Sequence, residues 1–279
     1  MAHLNSREAQ VTENLFFKAG FKVKSSVGNK SSLESDKGRL IASPSSGEIK
    51  ATQLDEGNAT TNKPLGNVFA FCAHSDDQIL GAGGTLAKLS EEGYDVYVIV
   101  LSAGENANPL TKPKFTVKTR RDESLKANEI IKAKDLFFFS LSEGKFISEY
   151  KLTDTFSKLV KIFREYKPLK IFTHAPDDVH VDHRNTLAIL LDIINSIGDG
   201  YKPDVFSFDV WTFLNLKSRA YPVVYINISK QIRKKSQAIS CFKSQKVSMV
   251  SLLAKVYLEM IFNGMRIGAL FAERFYKIM

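Results

Sequence analysis

Short, continuously apolar runs alternate with segments of helical spacing from residue 64 onward. Strand-type runs occupy residues 68–73, 96–101, 136–141, 169–173, 205–214 and 223–228. Helical segments lie between them, at residues 83–92, 119–134, 154–166 and 183–197, and a later helix runs from Ser229 to about Lys243. Strands buried on both faces read as unbroken apolar runs, so the alternation predicts a parallel sheet covered by helices on both sides.

We therefore predict an α/β fold with a Rossmann-like, doubly wound and mostly parallel sheet of order 3-2-1-4-5, extended by C-terminal strands and helices. Residues 66–279 form the predicted catalytic domain. Residues 1–65 are dominated by Gly, Ser, Asn, Thr, Lys and Glu from position 24 onward, which predicts an irregular or flexible extension.

The net charge of +9 is concentrated at the C-terminal end of the 279-residue chain. Residues 216–279 contain twelve Lys and Arg against two Glu, a net charge of +10, which leaves −1 for the rest. This segment could be a solvated helix face, a site for phosphate groups, or a peripheral contact with an anionic membrane surface. We do not expect nucleic acid as a partner, because no aromatic residues are interleaved in a recognisable binding module.

Two cysteines and a polar N-terminus argue against a secreted, disulfide-bonded protein. Cys72 lies in an apolar run, Cys241 is distant in sequence, and residues 3–14 lack the apolar core of a signal peptide. No apolar run reaches the length of a membrane span. A cytoplasmic location is the expectation, and the sequence leaves the oligomeric state open.

Chemically active side chains are concentrated in two stretches that each follow a predicted strand. Residues 74–78 follow the first strand and residues 174–183 follow the fourth, and together they hold four of the five histidines. In a sheet of order 3-2-1-4-5, strands one and four meet at the topological switch point, where ligands bind. The fold alone is therefore expected to bring the two stretches face to face.

Two imidazoles and one carboxylate in these stretches match the ligand pattern of a catalytic zinc site. His74 and Asp77 are three residues apart in a tight turn, and His183 opens the helix after strand four. Such a set leaves coordination positions open for water and substrate. Zn²⁺ is the predicted cofactor, although Fe²⁺ or Co²⁺ could also bind. The alternative is a polar loop cluster held by ordinary hydrogen bonds.

Neighbouring residues suggest the remaining catalytic groups. Asp76 could act as general base or only cap a helix, and His180 could stabilise an oxyanion and protonate a leaving amine or serve only as a supporting group. Asp182 could orient His180 or hold it protonated, which gives it a catalytic or a purely structural role.

Two other polar side chains, His174 and Arg120, also allow more than one interpretation. We take His174 as a hydrogen-bonded loop histidine rather than a fourth ligand. Arg120 could contact substrate hydroxyls or a phosphate, or form an ion pair with Glu123 one turn later.

The motifs resemble the PIG-L/LmbE-like family of zinc-dependent N-acetylglucosaminyl deacetylases. Residues 73–77, Ala-His-Ser-Asp-Asp, are similar to the family's Ala-His-Pro-Asp-Asp, and residues 178–184 match Asp-X-His-X-Asp-His-Arg. The similarity covers about residues 66–275. Shorter matches are Gly83-Gly84-Thr85, Ser102-X-Gly104-Glu105, Arg120 with Glu123, Lys243-Ser244-Gln245 and Ala272-Glu273-Arg274-Phe275.

The resemblance implies that His74, Asp77 and His183 bind zinc, that Asp76 is the base and that His180 is the electrostatic or acid histidine. It also implies hydrolysis of the N-acetyl group of an N-acetylglucosamine-containing substrate, such as a sugar phosphate, nucleotide sugar, lipid-linked sugar or thiol glycoside. Ser75 replaces the usual proline and Gln78 the common glutamate.

The alternatives are an amidase on another acylated amine, or a catalytically silent carbohydrate-binding protein on the same scaffold. The basic C-terminal segment leads us to expect an anionic small molecule or glycoconjugate as substrate.

Overall fold

The computed structural model describes residues 64–104, 113–198, 200–211 and 221–279. Nearly all of the predicted extension, residues 1–65, lies outside the described residues. The strands are β1 (Asn67–Cys72), β2 (Asp95–Val100), β3 (Asp135–Phe138), β4 (Lys170–His174), β5 (Asp204–Phe208), β6 (Val223–Asn227) and β7 (Ala272–Lys277). The helices are α1 (Asp77–Glu91), α2 (Pro113–Ile130), α3 (Phe146–Glu149), α4 (Thr155–Tyr166), α5 (Val181–Ile197), α6 (Ile232–Ser240) and α7 (Lys246–Arg266).

The described strands form one seven-stranded sheet of order β3-β2-β1-β4-β5-β7-β6. The first five strands are parallel, which confirms the predicted 3-2-1-4-5 arrangement. Strand β7 is antiparallel to both β5 and β6 and adds the C-terminal strands at one edge. The switch point of a doubly wound sheet therefore lies between β1 and β4, as the alternating pattern predicts.

Two apolar layers cover the two faces of the sheet. Successive side chains of β1 alternate between them, with Val68 and Ala70 on one face and Phe69 and Phe71 on the other. Helices α1, α6 and α7 pack on the first face, and α4 and α5 on the second. Because both faces are buried, β1 and β2 read as unbroken apolar runs in the sequence.

Helix α1 begins at Asp77, six residues earlier than the predicted start at residue 83. Close packing requires the glycines of this helix. A Cβ atom at Gly81 would lie 2.2 Å from Phe208, and one at Gly84 would lie 2.6 Å from Ile228. Tertiary contact thus outweighs the low helix propensity of glycine, and Asp77 is brought into the first turn of the helix.

A buried ion pair from the C-terminal part of the chain enters the middle of α1. The Glu273 carboxylate accepts hydrogen bonds from the backbone N–H groups of Gly84 (2.9 Å) and Thr85 (2.7 Å). Lys235 Nζ donates to Glu273 Oε1 (2.5 Å) and to the carbonyl oxygen of Leu80 (2.8 Å), which the N–H of Gly84 would meet in an uninterrupted helix. The pair therefore joins α1, α6 and β7.

We expect Glu273→Ala to lower the free energy of unfolding by roughly 3–5 kcal/mol, because it leaves the Lys235 ammonium buried and unpaired. The matched control is Asp204→Ala, which removes the exposed Lys277–Asp204 pair (2.6 Å) from the same region and should cost about 0–1 kcal/mol. Urea unfolding monitored by circular dichroism measures both. Equal losses of unfolding free energy in the two variants would contradict the larger contribution that we expect from the buried pair.

Candidate metal centre

Parallel pairing of β1 with β4 brings the two polar stretches together. Val68, Phe69 and Ala70 are in register with residues 170–172, so the carboxyl ends of the two strands lie side by side. The backbone N–H of Ala73 donates to His174 Nε2 (3.1 Å) across a sequence separation of 101 residues. His174 is thus a buried, hydrogen-bonded histidine, and it is the last residue of β4 rather than the loop residue expected from the sequence.

His74, Asp77 and His183 come close enough to share one cation. One ligand atom from each of the three residues lies within 4.8 Å of the other two. His183 Nε2 is 3.4 Å from Asp77 Oδ1, and His74 Nδ1 is 3.6 Å from Asp77 Oδ2. All three side chains are buried, and the Nε2 atoms of both histidines lack a hydrogen-bond partner among the described residues. Unpartnered buried nitrogens beside a buried carboxylate fit a metal ion, which would satisfy them.

The electrostatics of the cluster also favour a bound positive charge. Burial disfavours the charged form of His74, but the Asp182 and Asp77 carboxylates outweigh burial and raise its pKa to about 10. At His183 burial also lowers the pKa, but the Asp77 and Asp178 carboxylates outweigh this effect and raise the pKa to about 9. In the protein chain by itself these carboxylates hold protons on the two imidazoles, and a divalent cation would replace those protons.

A surrounding set of contacts holds the imidazole of His183 in place. Asp178 Oδ2 lies 3.1 Å from His183 Nδ1, and Asp178 Oδ1 accepts the backbone N–H of His180 (2.9 Å). The ring of His174 stacks on that of His183 at a centroid distance of 3.8 Å. A carboxylate on the far nitrogen of a ligating histidine fixes its orientation and raises its basicity. Two overlapping groups, His74/His180/Asp182 and His174/Asp178/His183, also meet the same distance limit.

Asp76 occupies the N-cap position of α1, but its side chain makes no capping hydrogen bond. The carboxylate instead accepts from Arg120 Nη2 at 3.4 Å and lies at the edge of a cavity. Burial raises the pKa of Asp76, and the guanidinium of Arg120 opposes that rise. The capping role considered from the sequence is therefore not the contact that this side chain makes.

His180 and Asp182 contact each other through the backbone N–H of Asp182. The backbone N–H of Asp182 donates to His180 Nδ1 (3.2 Å), so a neutral His180 carries its proton on Nε2. The Asp182 carboxylate accepts from the backbone N–H of Gly144 (2.9 and 3.1 Å) and lies 3.5 Å from His74 Nε2. Burial, reinforced by His183 and His74, lowers the pKa of His180 to about 4.

Arg120 is held against the turn that carries the proposed ligands. Its Nε donates to Ser75 Oγ (3.2 Å) and its Nη1 to the carbonyl oxygen of Gly104 (3.3 Å). Gly104 has φ +70°, and a Cβ atom there would lie 1.8 Å from Arg120 Nη1, so only glycine fits.

The alternative of an Arg120–Glu123 ion pair is wrong. Glu123 instead accepts two hydrogen bonds from Ser244, one from the backbone N–H (2.8 Å) and one from Oγ (2.6 Å).

A cavity of about 460 Å³ opens onto these residues. His74, Asp76, Asp77, Arg120, His180 and Asp182 line it, whereas His183 does not and lies fully buried behind it. Val181 and Gln245, which lie in the motif matches, also line it. The remaining lining residues, which the sequence did not single out, are Leu80, Glu143, Gly144 and Trp211. Trp211 follows β5 closely, so its position near a strand end was the one signal available in the sequence.

Residues 69–194 match the family model described as PIG-L: GlcNAc-PI de-N-acetylase. A 4-oxalmesaconate hydratase of Pseudomonas putida KT2440 is 29% identical over 204 residues, which cover 66% of this chain and 76% of that protein.

Two solved deacetylases share the fold. An N,N'-diacetylchitobiose deacetylase from Pyrococcus horikoshii aligns with a TM-score of 0.63 at 20% identity, covering 75% of this chain and 82% of that one. A deacetylase of teicoplanin biosynthesis aligns with a TM-score of 0.62 at 17% identity, covering 75% and 96%.

The fold and the site together define an α/β scaffold, shared with solved deacetylases, that carries a His/Asp cluster suited to a metal ion. The match to the PIG-L family model runs from β1 through most of α5 and therefore covers both polar stretches. The resemblance carried by residues 73–77 and 178–184 is confirmed at the level of the family.

We expect Asp178→Asn to weaken divalent-metal affinity by about 10- to 100-fold, because the His183 imidazole loses its supporting carboxylate. His183→Ala should lose stoichiometric metal altogether. The matched control is Asp177→Asn, an exposed neighbour that lies outside the cluster. Competition with a chromophoric chelator measures the affinities. An unchanged affinity in Asp178→Asn would exclude the orienting role.

Proposed function

We propose that this protein is a metal-dependent N-deacetylase that hydrolyses the acetamide of an N-acetylglucosamine-containing substrate. The observation that carries the proposal is the buried His74/Asp77/His183 set, with the Asp76 carboxylate beside it at the edge of an open cavity. A ligand set with a neighbouring base and room for a substrate suits metal-assisted hydrolysis better than a purely structural metal site.

A divalent cation held by His74, Asp77 and His183 would acidify a water molecule and polarise the amide carbonyl. Two imidazoles and one carboxylate suit zinc best, with Fe²⁺ or Co²⁺ as alternatives. Asp76 would accept a proton from the attacking water as general base, and Arg120 at 3.4 Å opposes the rise in the pKa of that carboxylate that burial causes.

His180 would stabilise the negative charge that develops on the carbonyl oxygen of the reacting amide. With Nδ1 accepting the Asp182 backbone N–H, its Nε2 proton is available as a hydrogen-bond donor to the developing oxyanion. The proton taken by Asp76 is then passed to the leaving nitrogen, so that one water and one amide give acetate and a free amine. In this scheme His180 acts as a neutral donor, because the cationic neighbours and burial hold its pKa low.

The cavity lining supports a sugar ring as the bound part of the substrate. Trp211 is held against the core and presents an amphipathic aromatic surface on which the apolar face of a pyranose can stack. Glu143 and Gln245 offer carboxylate and amide groups for hydroxyls. None of the described Lys and Arg residues of the basic segment lines the cavity, so an anionic substituent would have to bind beyond this lining.

A hydratase is the second candidate function, because a relative with 29% identity carries that activity. The cavity favours the deacetylase. The substrate in that relative's name is a polycarboxylate, and Arg and Lys side chains form the strong charge-assisted hydrogen bonds by which carboxylates are commonly recognised. Among the described lining residues Arg120 is the one Lys or Arg, and its three nitrogens already contact Ser75, Gly104 and Asp76. Product identification separates the candidates further, since only deacetylation releases acetate and another amidase would release a different acid.

A cytoplasmic location completes the proposal. Cys72 and Cys241 are both free thiols, as expected in a reducing compartment.

We expect Asp76→Asn to reduce the rate of acetate release by about 10²- to 10⁴-fold while the protein retains its metal. The loss arises because the amide cannot accept a proton from water. The matched control is Asp122→Asn, an exposed acid on α2, which should keep full activity. Acetate assay and metal analysis are run on the same samples. Normal turnover in Asp76→Asn would remove this residue from the mechanism.

Trp211 is the only tryptophan in the chain, so intrinsic fluorescence reports on the cavity directly. We expect a saturable change in emission when an N-acetylglucosaminide is added to the slow Asp76→Asn variant, because the sugar displaces water from the indole. Acetamide, which has no ring to stack, should give a much smaller change. Identical responses to the sugar and to acetamide would contradict a stacked sugar.

A further inference from the structure

The outer side of α7 exposes a continuous row of large apolar side chains. Leu258, Ile261, Phe262 and Met265 follow the spacing of one helical face, and Phe262 and Met265 are 59% and 70% exposed. Ile267 and Leu270 continue the row past the helix end, with Leu270 75% exposed. We call these six residues the α7 outer stripe. Nearly half of the exposed large apolar residues of the described chain are gathered here.

The side chains on the opposite side of the same helix pack inside the protein. Leu252, Val256 and Met260 are buried in the core between α7 and the sheet. Tyr257 Oη donates to Ser236 Oγ (2.8 Å) and fixes α7 against α6. A surface helix normally has a polar outer side, so a helix apolar on both sides indicates a second partner for the outer stripe.

Exposed cationic side chains lie on α7 and on the segments that contact it. Arg266 is exposed on α7 itself. Lys230 is exposed next to Ser229, whose Oγ accepts the backbone N–H of Phe271 (3.1 Å), so Lys230 and Leu270 each lie one residue along the chain from this contact. Arg233 is exposed one turn before Ser236, the contact point between α6 and α7.

The acids of this part of the chain do not offset these charges. Residues 216–279 hold two acids, Glu259 and Glu273, and each is paired with a lysine, Lys255 at 3.5 Å and Lys235 at 2.5 Å.

We propose that the α7 outer stripe docks on the surface of an anionic lipid bilayer, with the helix lying parallel to the membrane plane. Helices that bind in this way have an apolar face that enters the headgroup boundary and basic residues along its margin, which is the arrangement around Phe262 and Arg266. None of the described helices is long and apolar enough to cross a bilayer. A second copy of this chain fits less well, because its docking would bring two basic margins together.

The test is co-sedimentation of the full-length, metal-loaded protein with vesicles. The two compositions are phosphatidylcholine alone and phosphatidylcholine mixed with an equal amount of phosphatidylglycerol. We expect binding to the mixed vesicles that weakens at high salt, and much weaker binding to phosphatidylcholine. Replacing both Phe262 and Met265 by serine should weaken binding about tenfold or more, because two buried apolar side chains are lost. Arg266→Glu should weaken binding to the mixed vesicles about fivefold to tenfold.

The matched control replaces two equally exposed apolar residues away from the stripe, Phe115→Ser with Leu152→Ser, and should bind like the wild type. Deacetylase activity on a water-soluble substrate should be unchanged in the stripe variant, which separates this proposal from the catalytic one. Absence of wild-type binding to either vesicle overturns the proposal. So does a wild-type dimer in light scattering that the stripe variant converts to a monomer, since a second copy would then occupy the surface.

Discussion

Parallel pairing of β1 with β4 is the constraint on which the site depends. The two strands are separated by about a hundred residues, yet their hydrogen-bonded register fixes where residues 73–78 and 174–183 begin. Asp77 then lies among three histidines, 3.6 Å from His74, 3.2 Å from His174 and 3.4 Å from His183. A buried carboxylate in such surroundings requires compensating positive charge, so the sheet itself creates the demand for a cation.

The fold and the location of the site could be predicted because both follow from local patterns. Unbroken apolar runs indicate strands buried on both faces, and polar residues directly after two of them must meet at the switch point. The contacts of Arg120, Glu123 and Asp182 could not be predicted, because each depends on a distant partner. Glu123 contacts Ser244, and the Asp182 carboxylate contacts Gly144, both across tertiary packing that no helical spacing reveals.

The two residues that differ from the family motif, Ser75 and Gln78, take part in one hydrogen-bond network. Ser75 Oγ, in place of the usual proline, accepts from Arg120 Nε, and the Ser75 carbonyl oxygen accepts from Ser124 Oγ (2.8 Å). Gln78 Nε2, in place of the common glutamate, donates to the same carbonyl oxygen (3.0 Å). The turn that proline would stiffen covalently is here stiffened by α2 through hydrogen bonds. The departures therefore leave the proposed ligands undisturbed and tie them to Arg120.

The link from Glu273 to Gly84 and Thr85 has a consequence for biosynthesis. Helix α1 carries Asp77 near the start of the domain, but two of its backbone N–H groups donate to a side chain nearly two hundred residues later. On the ribosome, β1, β2 and α1 emerge long before β7 does, so the helix bearing the proposed metal ligand lacks these two tertiary hydrogen bonds until β7 is translated. The centre is thus expected to reach its final structure only after β7 has emerged from the ribosome, well after the strands and helix that carry most of its residues.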